Sequence, residues 1–133
     1  MPETSVYFYQ EPDGSSPVLN WFRELKRTNE KAFLNCLARL RLLRMLGHEL
    51  RRPAADLLQD GIYELRAKSR TVQYRMLYFY HGLNIAVVAH TLTKEKNIPA
   101  ADLARALSRR RRYEQNPTQH RCPQTIEDLH APA

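Results

Sequence analysis

The run from Gly61 to Thr93 constrains this chain most. It holds three β-prone stretches, at roughly 62–68, 73–80 and 85–92, joined by short polar turns at Ser69–Val72 and His81–Asn84. Branched and aromatic residues in these stretches suit a pleated, half-buried surface, and turns this short make neighbouring strands antiparallel. Any fold for this chain is therefore built around a three-stranded meander. Its side chains are unusual, because Arg66, Lys68, Arg75 and His90 stand where a bland sheet would carry Thr or Val.

Register sharpens the point. If flanking residues pair directly across the first turn, Lys68 opposes Gln73, Arg66 opposes Arg75, Glu64 opposes Leu77 and Ile62 opposes Phe79, all on one face. The other face pairs Ala67 with Tyr74, Leu65 with Met76 and Tyr63 with Tyr78, a core-like set. Pairing Tyr80 with Ile85 across the second turn then sets Arg75 opposite His90. The expected result is a row, Arg66–Arg75–His90. Two opposed arginines repel each other, so the row needs an anion. That anion is either a bound phosphate, or Glu64 or Glu95 in an internal ion-pair network. Beside two cations His90 is disfavoured in its charged form, which favours a neutral imidazole able to accept a proton, although a lone sheet histidine is more often structural.

The flanking segments are simpler. Ser5–Tyr9 is a short β-prone run closed by the turn residues Pro12, Asp13 and Gly14. Ser16 before Pro17 marks a helix start, and Val18, Trp21, Phe22 and Leu25 share one face of a helix over 17–27. Thr28 or Asn29 caps a second helix with Phe33, Cys36, Leu37, Leu40 and Leu43 as its stripe and Gly47 as its stop. Residues 51–60, interrupted by Pro53, read as a linking loop. Pro99 opens a last helix with Leu103, Ala106 and Leu107 inside, ending at Asn116-Pro117. The expected fold is α+β: a twisted antiparallel sheet, made of the N-terminal strand and the meander, packed on two N-terminal helices, with a C-terminal helix. One domain over 1–115 and a flexible tail over 116–133 complete it.

The net charge of +7 is uneven. Residues 21–52 hold nine basic and three acidic groups, and residues 99–115 add a further +3, between acidic ends. A basic centre of this kind points to a polyanion, with nucleic acid ahead of an acidic protein. Arg109–Arg112 at the end of the last helix complements the helix dipole and can also hold a phosphate backbone. Cys36 and Cys122 are too few and too far apart for a disulfide framework, and no His or Cys spacing fits a metal site. The longest apolar run, Ile85–Ala89, cannot span a bilayer, and the start lacks a signal-peptide pattern, so the cytoplasm is expected. No Gly-rich phosphate loop, paired-carboxylate signature or nucleophilic-Ser motif is present.

The order of elements and the words within it resemble the RelE/ParE/HigB superfamily of toxins from bacterial type II toxin–antitoxin systems, and most closely its phage-derived, HigB-like branch. The matching words are Leu46-Gly47 with Glu49-Leu50, Gly61-Ile-Tyr-Glu-Leu-Arg66, Tyr74-Arg75, Tyr78, His90, Lys94 and Pro99, followed by a helix rich in Ala and Arg. They cover residues 5–115. The resemblance implies an antitoxin partner, a small helix-turn-helix protein encoded beside the toxin, with DNA met only through it and no membrane. It also implies ribosome-dependent mRNA cleavage without a cofactor. By position, Arg66, Arg75 and Lys94 match basic active-site residues, and His90 matches a recurrent histidine of the branch. One departure stands out. The branch usually has two consecutive lysines after the last strand, whereas here Glu95 takes the second place and Lys96 follows.

The chemistry that fits is attack by the neighbouring 2′-hydroxyl of RNA on its own phosphate. Arg66 and Arg75 would hold the charge that builds on phosphorus, Lys94 or Lys96 would clamp phosphate or carry a proton, and His90 would be base or acid. Lys68, Lys96, Arg109 and Arg112 would bind RNA, and bases would stack on Tyr78, Tyr80 or Tyr113. Three rivals are a non-enzymatic gyrase inhibitor, an inactive antitoxin-binding module and a generic RNA-binding domain. The basic set argues against the first, Glu95 supports the second, and salt-steep binding without cleavage would mark the third.

Overall fold

A computed structural model describes residues 3–93 and 97–130. The elements run β1 (Ser5–Phe8), α1 (Pro17–Thr28), α2 (Glu30–Leu46), a 3-10 turn (Gly47–Glu49), β2 (Ala55–Gln59), β3 (Ile62–Ser69), β4 (Val72–His81), β5 (Ile85–Thr93), α3 (Ala100–Gln115), α4 (Pro117–His120) and α5 (Ile126–His130). The five strands form one mixed sheet in the order β1-β5-β4-β3-β2, with β1 parallel to β5 and the other pairs antiparallel. The expected all-antiparallel sheet is thus corrected on one edge. The N-terminal strand reaches β5 from across the helices rather than through a hairpin, so it can run parallel.

Helix ends follow the sequence. The Ser16 hydroxyl accepts from the Leu19 amide at 3.1 Å, and the Asn29 side chain accepts from the Ala32 amide at 3.2 Å, each satisfying an amide with no partner inside its helix. One sheet face packs on α1 and α2, burying Phe22, Phe33, Leu37 and Leu40 against Leu65, Met76, Tyr78 and Val88. The opposite face carries α3, whose Ala106 and Tyr113 are buried with Ile62, Leu77, Phe79, Val87 and Leu92. Cys36 lies in the first core as expected, and burial pushes its thiol up to about 12.

Residues 55–59 correct the expected loop. They form β2, an edge strand whose Leu57 is 53% exposed, so alternation toward a core is weak there. A signal was present nevertheless. Asp60 and Gly61 both adopt positive φ, 52° and 77°, in the tight turn joining Gln59 to its partner Ile62. Asp-Gly is a strong hairpin pair for this conformational reason.

Residues 116–130 correct the expected flexible tail. Cys122, Ile126 and Leu129 are buried in the core under α1 and α2. Backbone bonds tie the segment to the first strand's end, with the Cys122 amide donating to the Phe8 carbonyl at 2.9 Å and the Gln10 amide to the His120 carbonyl at 3.0 Å. The Lys26 ammonium donates to the Leu129 carbonyl at 3.1 Å, and Arg44 pairs with Glu127. Helices of four and five residues are too short to show a period in sequence, which is why their burial was not legible.

Candidate functional site

The β3–β4 register is the expected one: Arg66 opposes Arg75, Lys68 opposes Gln73 and Glu64 opposes Leu77. The β4–β5 register is not. His81, rather than Tyr80, pairs with Ile85, and a bulge at Ala89 separates the Tyr78–Val88 pair from the Leu77–His90 pair. Arg75 therefore faces Leu92, and the row Arg66–Arg75–His90 is corrected. The two one-residue offsets add, so His90 stays on the face of Arg75 but one pleat along.

The opposed arginines are held by carboxylates. Glu64, with a side chain only 3% exposed, accepts from the Arg66 Nε at 2.8 Å with Oε1 and from the Arg75 Nη1 at 2.6 Å with Oε2. Arg66 also donates to Asp56 on β2 at 3.2 Å, and Arg52 donates to the same Asp56 oxygen at 2.9 Å. The hydrogen bond and charge of Arg52, with Arg66 adding, hold the Asp56 carboxyl below its ordinary value. Arg52, Asp56, Arg66, Glu64 and Arg75 thus alternate in sign from the exposed sheet edge to a half-buried centre. The internal ion-pair network exists, through Glu64, and β2 adds Asp56 to it.

Glu64 and Arg75 line an open depression of about 360 Å³ with Leu58, Gln59, Asn97, Ile98 and Leu103. Lys94, Glu95 and Lys96 lie outside the described residues; Asn97 follows them directly. Lys68 is exposed, and its carbonyl accepts from the Asn35 amide group at 2.9 Å.

His90 has partners that were not foreseen. Its Nε2 lies 2.6 Å from Asp102 Oδ1, and Arg109 Nη1 lies 3.3 Å from its Nδ1. Arginine can only donate, so Nδ1 accepts and Nε2 carries the proton given to Asp102. Arg109 also donates to the Ala89 carbonyl at 2.8 Å, sits 3.7 Å from Glu11 and covers the Tyr9 ring. Asp102 falls in the first turn of α3, where sequence alone reads it as a helix-dipole residue. Both nitrogens of His90 are engaged, which makes it a pin between β5 and α3.

Burial, with Arg109 and Arg105 adding, pushes the His90 pKa down against the pull of Asp102. The unfolded chain returns the imidazole to its ordinary value near 6.5, so on acidification the unfolded state takes up more protons. The stability linked to His90 is complete above about pH 6.5 and is lost as the pH falls through the lower folded value. Thermal melts from pH 8 to 5 should show this loss, and His90→Gln, which can keep one hydrogen bond without titrating, should flatten the slope. An equal slope in both proteins would remove His90 as its source.

Three expected RNA contacts change. Tyr78 is buried in the core under α1 and α2, stacked on Tyr63 at 5.4 Å, and Tyr113 is buried under α3, so neither can receive a base in this structure. Burial pushes the Tyr78 hydroxyl pKa up. Tyr80, half-buried, stacks on His48. Arg109 is committed to His90, Ala89 and Glu11, whereas Arg112 is exposed, 3.6 Å from Glu11. Among the described residues no three His, Cys, Asp or Glu side chains gather as a metal ion would need, and no helix is long and apolar enough to cross a membrane.

Over residues 20–111, more than half of its length, the chain matches the family of phage-derived Gp49-like proteins (DUF891). It belongs to that family. Gp49-like proteins are a RelE-like toxin family, and the five-stranded α+β architecture is compatible with a RelE-like fold. The family match contains the whole of the arginine–carboxylate network and the His90–Asp102–Arg109 set. Residues 112–130, including α4 and α5, lie beyond it. No curated protein sequence matches the chain significantly.

Proposed function

We propose that this Gp49-like chain is a HigB-like toxin of a type II toxin–antitoxin system that cuts messenger RNA on the ribosome. The observation that supports this reading is the directly opposed pair Arg66 and Arg75, with Arg75 and Glu64 at an open depression. Two guanidiniums on adjacent strands offer paired donors to the oxygens of one phosphate and stay charged at any working pH. The 2′-oxygen attacks phosphorus, its proton leaves to a base, and the 5′-oxygen departs with a proton from an acid. The products are a 2′,3′-cyclic phosphate and a 5′-hydroxyl. Charge on the phosphorane is where the arginines contribute.

His90, with both nitrogens occupied, is better suited to hold α3 than to carry these protons. That role passes to Lys94 or Lys96. Lys68 and Arg112, both exposed, extend the basic surface for the RNA backbone. A toxin family also suggests an antitoxin, here a small helix-turn-helix protein, and a cytoplasmic site of action.

One observation favours a second reading. Carboxylates already hold Arg66 and Arg75, as in a finished structural network, which suits a non-catalytic module that inhibits gyrase or only binds its antitoxin. Inducing the gene and mapping message ends by primer extension separates the readings. Growth arrest with in-frame cuts supports the nuclease, arrest with altered supercoiling supports gyrase inhibition, and no arrest supports the inactive module.

A further inference from the structure

We propose that Tyr9, Arg105 and Arg112, backed by Arg109, form a second phosphate site on the far flank of α3, which takes one phosphodiester of a nucleic-acid backbone. The choice of ligand rests on the reading of this chain as an RNA-directed toxin. At about 3.6 residues per turn, the three arginines lie on the side of α3 away from Leu103, which lines the depression of Arg75. The site is thus separate from the proposed cleavage site.

The three guanidiniums are short of anions. Arg109 is fixed by the Ala89 carbonyl at 2.8 Å and by His90 Nδ1 at 3.3 Å. Burial, then Arg105 and Arg112, push its pKa down against Glu11 and Tyr9, so both outer arginines lie close to it. Among the described residues the only carboxylate paired with this group is Glu11, 3.7 Å from Arg109 and 3.6 Å from Arg112. Both distances exceed direct hydrogen-bond contact, so Glu11 offsets charge without occupying the donors.

Tyr9 supplies the second, independent observation. Its ring is fully buried, stacked on His120 at 5.2 Å and covered by Arg109. Among the described residues nothing accepts its hydroxyl proton. Arg112 lies beside that hydroxyl, and an arginine can only donate. An enclosed hydroxyl without an acceptor is costly, so it marks a place where an acceptor belongs. A phosphodiester oxygen is such an acceptor, and it brings the negative charge that Arg105 and Arg112 lack.

The test uses the full chain and a single-stranded oligodeoxyribonucleotide, which lacks the attacking 2′-hydroxyl. Tyr9→Phe deletes only the hydroxyl and keeps the stack on His120. By anisotropy it should bind about tenfold more weakly than wild type, the value of one hydrogen bond to a charged group, while its melting temperature is equal or higher. Arg105→Gln/Arg112→Gln should lower the salt slope by about 0.7, the value of one phosphate contact on a single strand. Wild-type binding by Tyr9→Phe, or an unchanged slope in the folded double variant, overturns the proposal.

If the variants fail to fold, wild type decides alone. The Tyr9 ring resonances should move on titration with the same oligonucleotide, and unmoved resonances overturn the site. A shift with inorganic phosphate but none with the oligonucleotide would assign the site to free phosphate and overturn its backbone role. None of these readouts involves cleavage. Absence of message cuts in cells would therefore defeat the nuclease reading and leave the phosphate site standing, whereas normal cuts with wild-type binding by Tyr9→Phe would do the reverse.

Discussion

Arg75→Ala is expected to reduce message cleavage by about two to three orders of magnitude, the usual cost of removing a donor aimed at transition-state charge. The same substitution is expected to destabilise the fold. Glu64 is almost fully enclosed and would lose its 2.6 Å partner, and breaking a buried ion pair from one side costs about 3 kcal/mol. The value lies at the low end of the usual range because Arg66 still holds the other oxygen. Arg75→Lys separates the two effects. Lysine keeps a charge beside Glu64 but loses the planar fork, so its melting temperature should stay near wild type while cleavage falls at least tenfold. Wild-type cleavage by a folded Arg75→Lys protein would take the guanidinium out of the mechanism.

Ending the chain at Gln115 is expected to have the largest effect on stability. It would remove Cys122, Ile126 and Leu129 from the core and expose the faces of α1 and α2 beneath them. Burying each large apolar side chain contributes about 1.5–3 kcal/mol, so Ile126 and Leu129 alone account for a large share of an ordinary domain's stability. The truncated protein should aggregate or melt well below the full chain in calorimetry. A melting temperature equal to that of the full chain would return residues 116–130 to the status of a dispensable tail.

Much of the fold was legible. The caps at Ser16 and Asn29, the stop at Gly47, the meander and the last helix all rest on local chemistry and on hydrophobic period, which a sequence carries residue by residue. The pairing of Arg66 with Arg75 was legible for the same reason, because the two-residue loop at Arg70 and Thr71 leaves that hairpin one sensible register. The second hairpin defeated the reasoning. Its loop is one residue shorter than the direct pairing assumed, and Ala89 adds a bulge whose position depends on packing under α3 rather than on any turn residue.

The sequence by itself determined a basic, β-meander protein with two arginines face to face, and its resemblance pointed to RelE-like toxins, of which the matched Gp49-like proteins are one family. Only the tertiary structure decided what those arginines do at rest. Asp56 becomes their neighbour because β2 pairs with β3, and Asp102 and Arg109 reach His90 because α3 packs across β5. These partners come from distant parts of the chain and carry no spacing signal. Ionic contacts form wherever packing brings opposite charges together, so they follow the fold and cannot be read ahead of it.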